Sequence, residues 1–416
     1  MTKSLGRVLI IVENLPVPLD RRVWMEATTL TDAGYQVSVI CPTGTACQNI
    51  FEKINGVHVY RHPLPPELSS TIGYLREYSA ALWSEWKLAR RVRRERGFDV
   101  IQACNPPDLI FLVAAWFKFF HGTKFIFDQH DLGPEMYESK FRRRGLFWVL
   151  LRIAERLSFM LANVVISPNE SYKEVALTRG RRKQHTIHVV RSGPNLAIFK
   201  PTAGNLLHRH GKKYLVGYLG VMAEFDGVDN LVIAAHELVI NRNRTDIQFC
   251  LIGSGPMLSS LRKLASELGV GEHIEFTGRV SDSEMIERIS SCDLCVGPDP
   301  LNPLNNKSTM NKILEYMALM RPIVQYDLLE SGRSAGKAAL YAEPNNIQDL
   351  ASKIATLLAD PDARAQMGRI GFDRMVHLLE WKHQAPRLLE AYRQALHGAP
   401  LPDASRSAET ISVQGE

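Results

Sequence analysis

The chain has 416 residues, of which 45% are hydrophobic and 23% are charged, and it contains six cysteines. These values exclude a collagen-like repeat, a fully disordered chain and a small disulfide-bonded scaffold, and the length predicts two domains or three small ones. The sparse cysteines favour a reducing cytoplasm without a disulfide framework. The net charge of +6 is uneven, because residues 1–200 carry 28 basic and 18 acidic side chains. The basic first half is therefore expected to meet an anionic surface or ligand.

The first predicted elements are a buried strand at Val8–Val12, a helix at Arg22–Ala33 that Gly34 ends, and a strand at Val37–Cys41. This order forms a βαβ unit, which requires a parallel sheet. Further predicted strands, separated by helix-length segments, lie at Val57–Arg61, Val100–Ala103, Lys124–Asp128, Val164–Ser167 and Ile187–Arg191. The first half is thus predicted to be a doubly wound α/β domain.

Arg191–Gly204 contains two prolines and two glycines and is predicted to be a linker. The alternation then restarts, with strands predicted at Tyr214–Leu219, Gln248–Ile252, Ile274–Thr277, Leu294–Gly297 and Pro322–Tyr326. We expect Rossmann-like domains at residues 1–195 and 196–380, a helix at 381–397 that can return to the first domain, and a disordered tail at 398–416. Two such domains facing each other would enclose a ligand cleft at the carboxyl ends of both sheets.

Two basic segments suit a membrane surface. Lys87–Arg96 has six basic residues in ten positions, and Arg142–Arg144 precede an apolar, helix-length run that ends at Leu161. Each cation near an anionic leaflet contributes on the order of 1 kcal/mol, so we expect peripheral contact with an anionic membrane. The alternative is a solvated helix face followed by a core helix. The longest apolar run, Leu109–Phe120, is too short to span a bilayer, which needs about 20 residues.

The segment with the clearest chemistry is Lys307–Val324. Ser308 or Thr309 can cap the helix that follows, and the free amides at a helix N-terminus attract anions. A diphosphate would bind there with Lys312 and Lys307 as counter-charges, while Glu315, one turn further, could accept hydrogen bonds from the hydroxyls of a ribose. The alternative is a capped surface helix with a mobile acid.

This segment resembles the nucleotide-sugar signature of the glycosyltransferases of family 4, which have the GT-B fold. The similarity lies in Lys312, Glu315–Ala318 and Arg321–Val324. Other segments that resemble the family follow in its order, at Tyr218–Gly220, Asp226–Asp229, Leu251–Pro256 and Phe276–Val280. Asp20–Trp24 and Asp128–Asp131 are similar to the bacterial surface-polysaccharide branch. The resemblance spans residues 7–396.

The resemblance implies a donor site, an acceptor site and a catalytic group. The expected donor residues are Gly220, Gly253, Arg279, Val280, Lys307, Ser308, Thr309, Asn311, Lys312, Glu315 and Arg191. The expected acceptor residues in the first domain are Asp20, Arg21, Arg22, Asp131 and Glu135. His130 is expected to reach the transferred sugar and forms the catalytic set with Lys312 and Glu315.

The family likeness also implies the reaction. We expect a retaining, metal-independent hexosyl- or N-acetylhexosaminyltransferase without a cofactor, which uses a nucleotide-diphospho-sugar, with a UDP-sugar as the first candidate. Its acceptor would be a polyprenyl-diphosphate-linked or polysaccharide chain in exopolysaccharide, capsule or O-antigen synthesis at the inner face of the cytoplasmic membrane. The only Asp-x-Asp, Asp360–Asp362, is predicted to lie in a turn between helices and not to bind metal. Cys292 and Cys295 are expected to be buried thiols.

Some positions depart from the family pattern and leave alternatives open. Lys307 stands where many relatives have a glutamate that touches the donor sugar, and Val221 and Asp226 stand where many have a basic pair. A GT-B sugar-nucleotide epimerase would need acid and base groups such as His130, Asp131 and Glu135. Besides the glycosyltransferase and the epimerase, a third hypothesis is a non-catalytic scaffold that binds a nucleotide-sugar. Nucleic-acid binding is disfavoured, because the basic clusters lack interleaved stacking aromatics.

Overall fold

The computed structural model describes residues 4–44, 47–63 and 71–398, with the side chains of residues 71–78 left out. The tail predicted to be disordered lies outside the described residues, apart from Gly398. By their contacts the described residues form two compact units. Unit 1 covers the described parts of Met1–Gly133, Leu150–Val190 and Ala385–Glu416, and unit 2 covers Pro134–Val149 and Arg191–Gln384. The domain boundaries drawn from the sequence stay predictions.

The chain up to residue 189 alternates between strands and helices. Its strands are β1 (Arg7–Ile11), β2 (Gln36–Pro42), β3 (Phe51–Ile54), β4 (Val57–His62), β5 (Val100–Cys104), β6 (Lys124–Asp128), β7 (Val164–Ser167) and β8 (Ile187–Val189). Its helices are α1 (Arg21–Asp32), α2 (Thr71–Glu95), α3 (Phe111–His121), α4 (Gly133–Phe141), α5 (Leu146–Leu161) and α6 (Glu170–Thr178).

The strands of unit 1 form an eight-stranded sheet in the order β3-β4-β2-β1-β5-β6-β7-β8. Every neighbouring pair is parallel except β3 and β4, which are antiparallel. The central strands are buried along nearly their whole length, as expected for a parallel sheet covered by helices on both faces.

The alternation continues from residue 214. The strands are β9 (Tyr214–Leu219), β10 (Ile247–Ile252), β11 (Ile274–Gly278), β12 (Leu294–Gly297), β13 (Ile323–Tyr326) and β14 (Ala339–Ala342). The helices are α7 (Val228–His236), α8 (Leu258–Glu267), α9 (Asp282–Ser291), α10 (Asn311–Ala318), α11 (Leu329–Ala335), α12 (Ile347–Ala359), α13 (Pro361–Arg374) and α14 (Trp381–His397).

The strands of unit 2 form a six-stranded parallel sheet in the order β11-β10-β9-β12-β13-β14. Two hydrophobic clusters cover it. One gathers side chains from α7, α8 and α12, and the other packs α9 and α10 around Tyr316 and Met317. The prediction of two parallel α/β sheets is confirmed.

Several elements differ from the sequence prediction. The short strands β3 and β14 and the helix α13 were not predicted, although Asp360 caps α13 and Pro361 occupies its first turn, which is a recognised start signal. The basic cluster Arg142–Arg144 separates α4, which ends at Phe141, from α5, whose bounds Leu146–Leu161 match the predicted apolar run. Among the described residues, no helix combines the length and hydropathy needed to cross a bilayer.

Candidate functional site

The carboxyl ends of β9 and β10 meet in a pair of glycines. Gly220 has φ 156° and Gly253 has φ 135°, and the Gly220 amide donates to the Ile252 carbonyl over 3.0 Å. A Cβ atom on Gly253 would lie 1.9 Å from the Gly220 carbonyl oxygen. The absence of a side chain on Gly253 therefore lets the two backbones touch at the edge of the sheet where ligands bind in open α/β folds, whereas a Cβ on Gly220 would lie 2.8 Å from the Tyr218 hydroxyl.

Lys312, on the first turn of α10, lies beside this glycine pair and is 8% exposed. Its Nζ atom is 2.6 Å from Asp299 Oδ1 and 3.7 Å from Asp226 Oδ1, and it lies 5.0 Å from the centre of the Tyr218 ring. Burial alone would lower the pKa of Lys312, but the two carboxylates outweigh burial and hold its pKa well above the usual value. Lys312 is thus a fixed cation at the edge of the unit 2 sheet.

The N-terminus of α10 corrects one prediction. Met310 is the N-cap residue, and no side-chain cap hydrogen bond forms there within the described chain. Ser308, one of the two expected caps, instead donates its hydroxyl to the Leu304 carbonyl over 2.9 Å. The preceding loop is tight enough to hold Ser308 in that turn, because its own amide also bonds to Leu304. The Met310 side chain therefore makes no hydrogen bond to the amides of the first turn, which are the groups that attract anions at a helix start.

The exposed side of α10 consists of two residues. Six of its eight residues are buried, and the remaining two are Asn311, which is exposed, and Glu315, which is partly buried. Residues four apart lie one above the other on a helix, so Asn311 and Glu315 share one face. Both residues were predicted to belong to the donor site, and they lie on the same exposed face of α10.

Two further cations of the predicted donor site are paired with acids inside unit 2. Lys307 Nζ is 3.2 Å from Glu135 Oε1, and Arg191 lies 3.8 Å from Glu330. Glu330 is fully buried and also binds Arg333 over 2.6 Å.

Glu330 and Asp299 were not predicted from the sequence, although each follows a buried strand, where such side chains meet at the sheet edge. The remaining donor candidates, Arg279 and Val280, follow β11. Arg279 is exposed, and Val280 packs against the hydrophobic cluster around Tyr316 and Met317 of α10.

In unit 1 a buried ionic network surrounds the end of β6. Asp128 is fully buried, and its carboxylate lies 2.8 Å from His130 Nε2 and 2.9 Å from Arg22 Nη2. Arg22 also donates to the Val190 carbonyl over 2.8 Å. Burial opposes the charge on His130, but the Asp128 carboxylate raises the pKa of His130 well above its usual value. The contact with Asp128 therefore fixes the orientation of the imidazole and favours its charged form.

Glu26 completes this network and was not among the predicted site residues. It is fully buried, lies 3.2 Å from Arg22 and accepts a hydrogen bond from Gln102 over 2.7 Å. Burial raises the pKa of Glu26 to about 8, an effect that the nearby charge of Asp128 reinforces. The i,i+4 spacing of Arg22 and Glu26 on α1 was a usable sequence signal. Both residues face the sheet.

The other acceptor candidates have clear local roles. Asp20 is the N-cap of α1 and accepts from the Val23 amide over 3.0 Å, whereas the next residue, Arg21, is exposed. The Asn105 side-chain oxygen accepts from the amide of His130 over 2.8 Å and from that of Asp131 over 3.3 Å. This contact fixes the turn after β6 that carries both side chains.

All six cysteines lie in the described residues and are free and buried, as expected for Cys292 and Cys295. Asp360 accepts the Ala363 amide over 2.9 Å as the cap of α13. The Asp-x-Asp segment thus has a structural use at a helix start.

Comparisons with known proteins identify the class. The model for "Glycosyl transferase 4-like domain" matches residues 19–193, and the model for "Glycosyl transferases group 1" matches residues 213–360. Together these matches cover most of the chain, which belongs to the family 4 glycosyltransferases of GT-B fold.

One relative is the GDP-mannose-dependent alpha-(1-6)-phosphatidylinositol monomannoside mannosyltransferase of Mycolicibacterium smegmatis. It is 27% identical over 190 residues, which is 43% of this chain and 48% of the relative. The chain matches about half or less of the length of the first curated relatives.

Two solved structures share the fold. Sucrose-phosphate synthase from Thermosynechococcus elongatus aligns with a TM-score of 0.80 at 18% identity, over 95% of this chain and 100% of that one. Anabaena HepE in complex with UDP-glucose aligns with a TM-score of 0.73 at 16% identity, over 94% of this chain and 100% of that one.

Proposed function

We propose that the chain is a retaining glycosyltransferase that moves a hexosyl or N-acetylhexosaminyl group from a nucleotide-diphospho-sugar, with a UDP-sugar as the first candidate. The observation that carries this proposal is the edge of the unit 2 sheet, where the touching glycines Gly220 and Gly253 lie beside Lys312 at the start of α10, the helix whose exposed face carries Asn311 and Glu315. Family membership and the UDP-glucose complex of a structural neighbour support the same choice.

In this proposal the diphosphate binds at the first turn of α10. The partial positive charge of the helix end and the amides around Ser308 and Thr309 would hold it, and Lys312 would add a fixed positive charge nearby. Glu315, on the exposed face of the same helix, accepts hydrogen bonds from the ribose hydroxyls. Lys307 and Arg191 can leave their acidic partners, Glu135 and Glu330, and bind the negatively charged diphosphate. Val280 and the backbone at Arg279 frame the base.

The chemistry needs the departing diphosphate and the oxocarbenium-like sugar to be stabilised more than it needs a strong base. Preorganised amides and cations supply that stabilisation, so we propose transfer without a catalytic metal. In unit 1, the imidazolium of His130, held by Asp128, donates a hydrogen bond to the transferred sugar. Asp131 and the α1 start at Asp20–Arg22 bind the acceptor, together with Glu135.

We further propose that unit 1 contacts an anionic membrane, where a polyprenyl-diphosphate-linked or polysaccharide acceptor of exopolysaccharide, capsule or O-antigen synthesis is extended. The support is an aromatic surface on α2 and α3, formed by Trp83, Trp86, Trp116, Phe119 and Phe120. The rings of Trp83 and Trp86 stack at 5.0 Å, and those of Trp116 and Phe120 lie 4.3 Å apart. Phe119 and Phe120 are 69% and 66% exposed.

Basic side chains border the aromatic surface. Lys87 lies over the Trp83 ring at 5.1 Å and Arg90 over the Trp86 ring at 4.7 Å. Aromatic rings beside cations are typical of proteins that rest in the headgroup region of anionic bilayers. The lipid-glycosylating relative from Mycolicibacterium smegmatis makes a lipid-linked acceptor a reasonable choice.

The activity is tested with a panel of UDP-, GDP- and dTDP-sugars, with and without a polyprenyl-diphosphate acceptor and a chelator. Sugar transfer that persists in chelator, with the fold monitored by circular dichroism, is the expected result. Isomerised sugar without acceptor would instead identify an epimerase. Tight nucleotide-sugar binding without turnover would identify a non-catalytic scaffold, and either outcome would overturn the proposal.

A further inference from the structure

Three ionisable side chains gather at the carboxyl edge of the unit 1 sheet, apart from the Asp128 network. Glu13 follows β1 by two residues, His62 is the last residue of β4, and Glu85 lies on α2. Strands β1 and β4 both run parallel to β2, so their carboxyl ends lie at the same edge. One ligand atom from each of the three side chains lies within 4.8 Å of the other two.

These side chains are largely withdrawn from water. His62 is 3% exposed and Glu85 is 1% exposed, while the side chain of Glu13 retains 11% exposure. Neither carboxylate oxygen of Glu85 has a hydrogen-bond partner among the described residues. A buried carboxylate without a donor is costly unless it takes up a proton or a bound cation compensates its charge. The partial exposure of Glu13 leaves a route for such a cation from solvent.

The imidazole of His62 has the orientation of a metal ligand. Its Nδ1 atom is 3.1 Å from the Pro63 carbonyl oxygen, which can only accept a hydrogen bond. Nδ1 therefore carries a proton, and Nε2 points to the carboxylates, 2.9 Å from Glu13 Oε2. A histidine that donates one ring N–H to a backbone carbonyl commonly binds metal through the other nitrogen.

We propose that Glu13, His62 and Glu85 bind one divalent transition-metal ion, with Zn²⁺ as the favoured ion, and that water completes its coordination. Two carboxylates neutralise the dication, and the mixed oxygen and nitrogen donors suit zinc. The bound ion links the ends of β1 and β4 to α2. It is independent of the proposed sugar transfer, which is assigned no metal.

A second three-residue group, Cys104, Asp128 and His130, has comparable spacing. It differs because the Arg22 guanidinium already lies 2.9 Å from Asp128 and supplies the positive charge. The two groups also differ in donor type, since the Cys104 group would give a thiolate-bound metal. A thiolate-to-metal charge-transfer band would therefore identify binding at the Cys104 group, and its absence would be expected for binding at Glu13, His62 and Glu85.

The test uses the full-length protein, stripped with a chelator and titrated with ZnCl₂ by calorimetry. One ion per chain is expected, and Glu85→Gln and His62→Gln should each lower the affinity at least about 10-fold. The matched control is His208→Gln, because His208 also pairs with a glutamate, Glu287 at 3.1 Å, but lies in unit 2, outside the proposed site. That control should bind Zn²⁺ like the unchanged protein.

Cobalt substitution and thermal unfolding provide the second readout. Co²⁺ in the proposed site should give a d–d spectrum without a thiolate-to-cobalt charge-transfer band, and Zn²⁺ should raise Tm. If the buried variants fail to fold, Glu13→Gln, at the most exposed of the three positions, replaces them. No stoichiometric binding, unchanged affinity in a folded variant, or a thiolate band would each overturn the proposal, whatever the transferase activity.

Discussion

Lys312 Nζ lies 2.6 Å from Asp299 Oδ1, and both side chains are buried at the edge of the unit 2 sheet. Asp226 is a second carboxylate within 3.7 Å of the same ammonium group. One cation thus holds together the loop after β9, the loop after β12 and the first turn of α10. The pair therefore matters for the stability of unit 2.

The first prediction concerns this pair. Lys312→Met should lower the free energy of unfolding by about 3–5 kcal/mol, because it leaves the buried Asp299 carboxylate without its cation. Urea denaturation measures the change. Lys263→Met removes an exposed pair, with Glu267 at 3.6 Å, and should cost less than about 1 kcal/mol. Equal losses in the two variants would contradict the structural role of Lys312.

The second prediction concerns the glycine pair. Gly253→Ala should destabilise unit 2 by on the order of 2–4 kcal/mol, since its Cβ would meet the Gly220 carbonyl at 1.9 Å and its φ is positive. Gly271→Ala is the control, because no atom lies within 4 Å of the added Cβ. If both variants unfold at the same urea concentration, the close approach of the Gly253 and Gly220 backbones does not affect stability.

The third prediction follows from the pKa of Glu26, which burial raises to about 8. The unfolded chain releases this proton near pH 4.5, so stability is highest below that pH and falls as pH rises towards 8. The slope is at most about 1.4 kcal/mol per pH unit for one proton. Glu26→Gln removes this loss, so the stability of the variant relative to the unchanged protein should increase between pH 5 and pH 8.

Urea titrations at several pH values measure the effect, with Glu267→Gln as an exposed control that should follow the unchanged protein. The raised pKa of His130 acts in the same direction above about pH 6.5, and both proteins share it. A constant difference between Glu26→Gln and the unchanged protein across this range would contradict the buried, protonated state of Glu26.

The fourth prediction tests the aromatic surface. Trp116→Ser combined with Phe120→Ser should weaken sedimentation with vesicles of anionic lipid at least about 10-fold, because each buried ring contributes about 1.5–3 kcal/mol. Leu206→Ser, at a residue 74% exposed in unit 2, is the control and should bind unchanged. Retained sedimentation of the double variant would remove the aromatic surface from the membrane contact.

The exposed Arg142–Arg144 segment lies in unit 2 and is the second basic segment expected at an anionic membrane. Replacing these three arginines with glutamate should release the protein from anionic vesicles, and added salt should release the unchanged protein as well. Binding that persists in the reversed variant would leave this segment without a role at the membrane.

The sequence predicted the two parallel sheets because their strands are short apolar runs separated by helix-length segments. It missed β3, in which exposed and partly buried residues alternate at the sheet edge, and β14, which has only four residues, two of them alanine. The helix containing Lys312 and Glu315 was predicted from its motif, but the cap was wrong, because Ser308 bonds within its own turn. Partners such as Asp299 for Lys312 and Glu26 for Gln102 depend on packing between distant segments, which no local pattern encodes.

The central claim, that unit 2 binds a nucleotide-sugar along the exposed face of α10, is tested most directly by calorimetry of UDP binding to Glu315→Ala. Two hydrogen bonds from ribose hydroxyls to a charged carboxylate contribute about 1.5–3 kcal/mol each, so the account predicts that affinity falls about 100-fold or more. Glu267→Ala, on the exposed face of α8, should bind UDP like the unchanged protein. Equal affinities for UDP in Glu315→Ala and the unchanged protein would contradict the account.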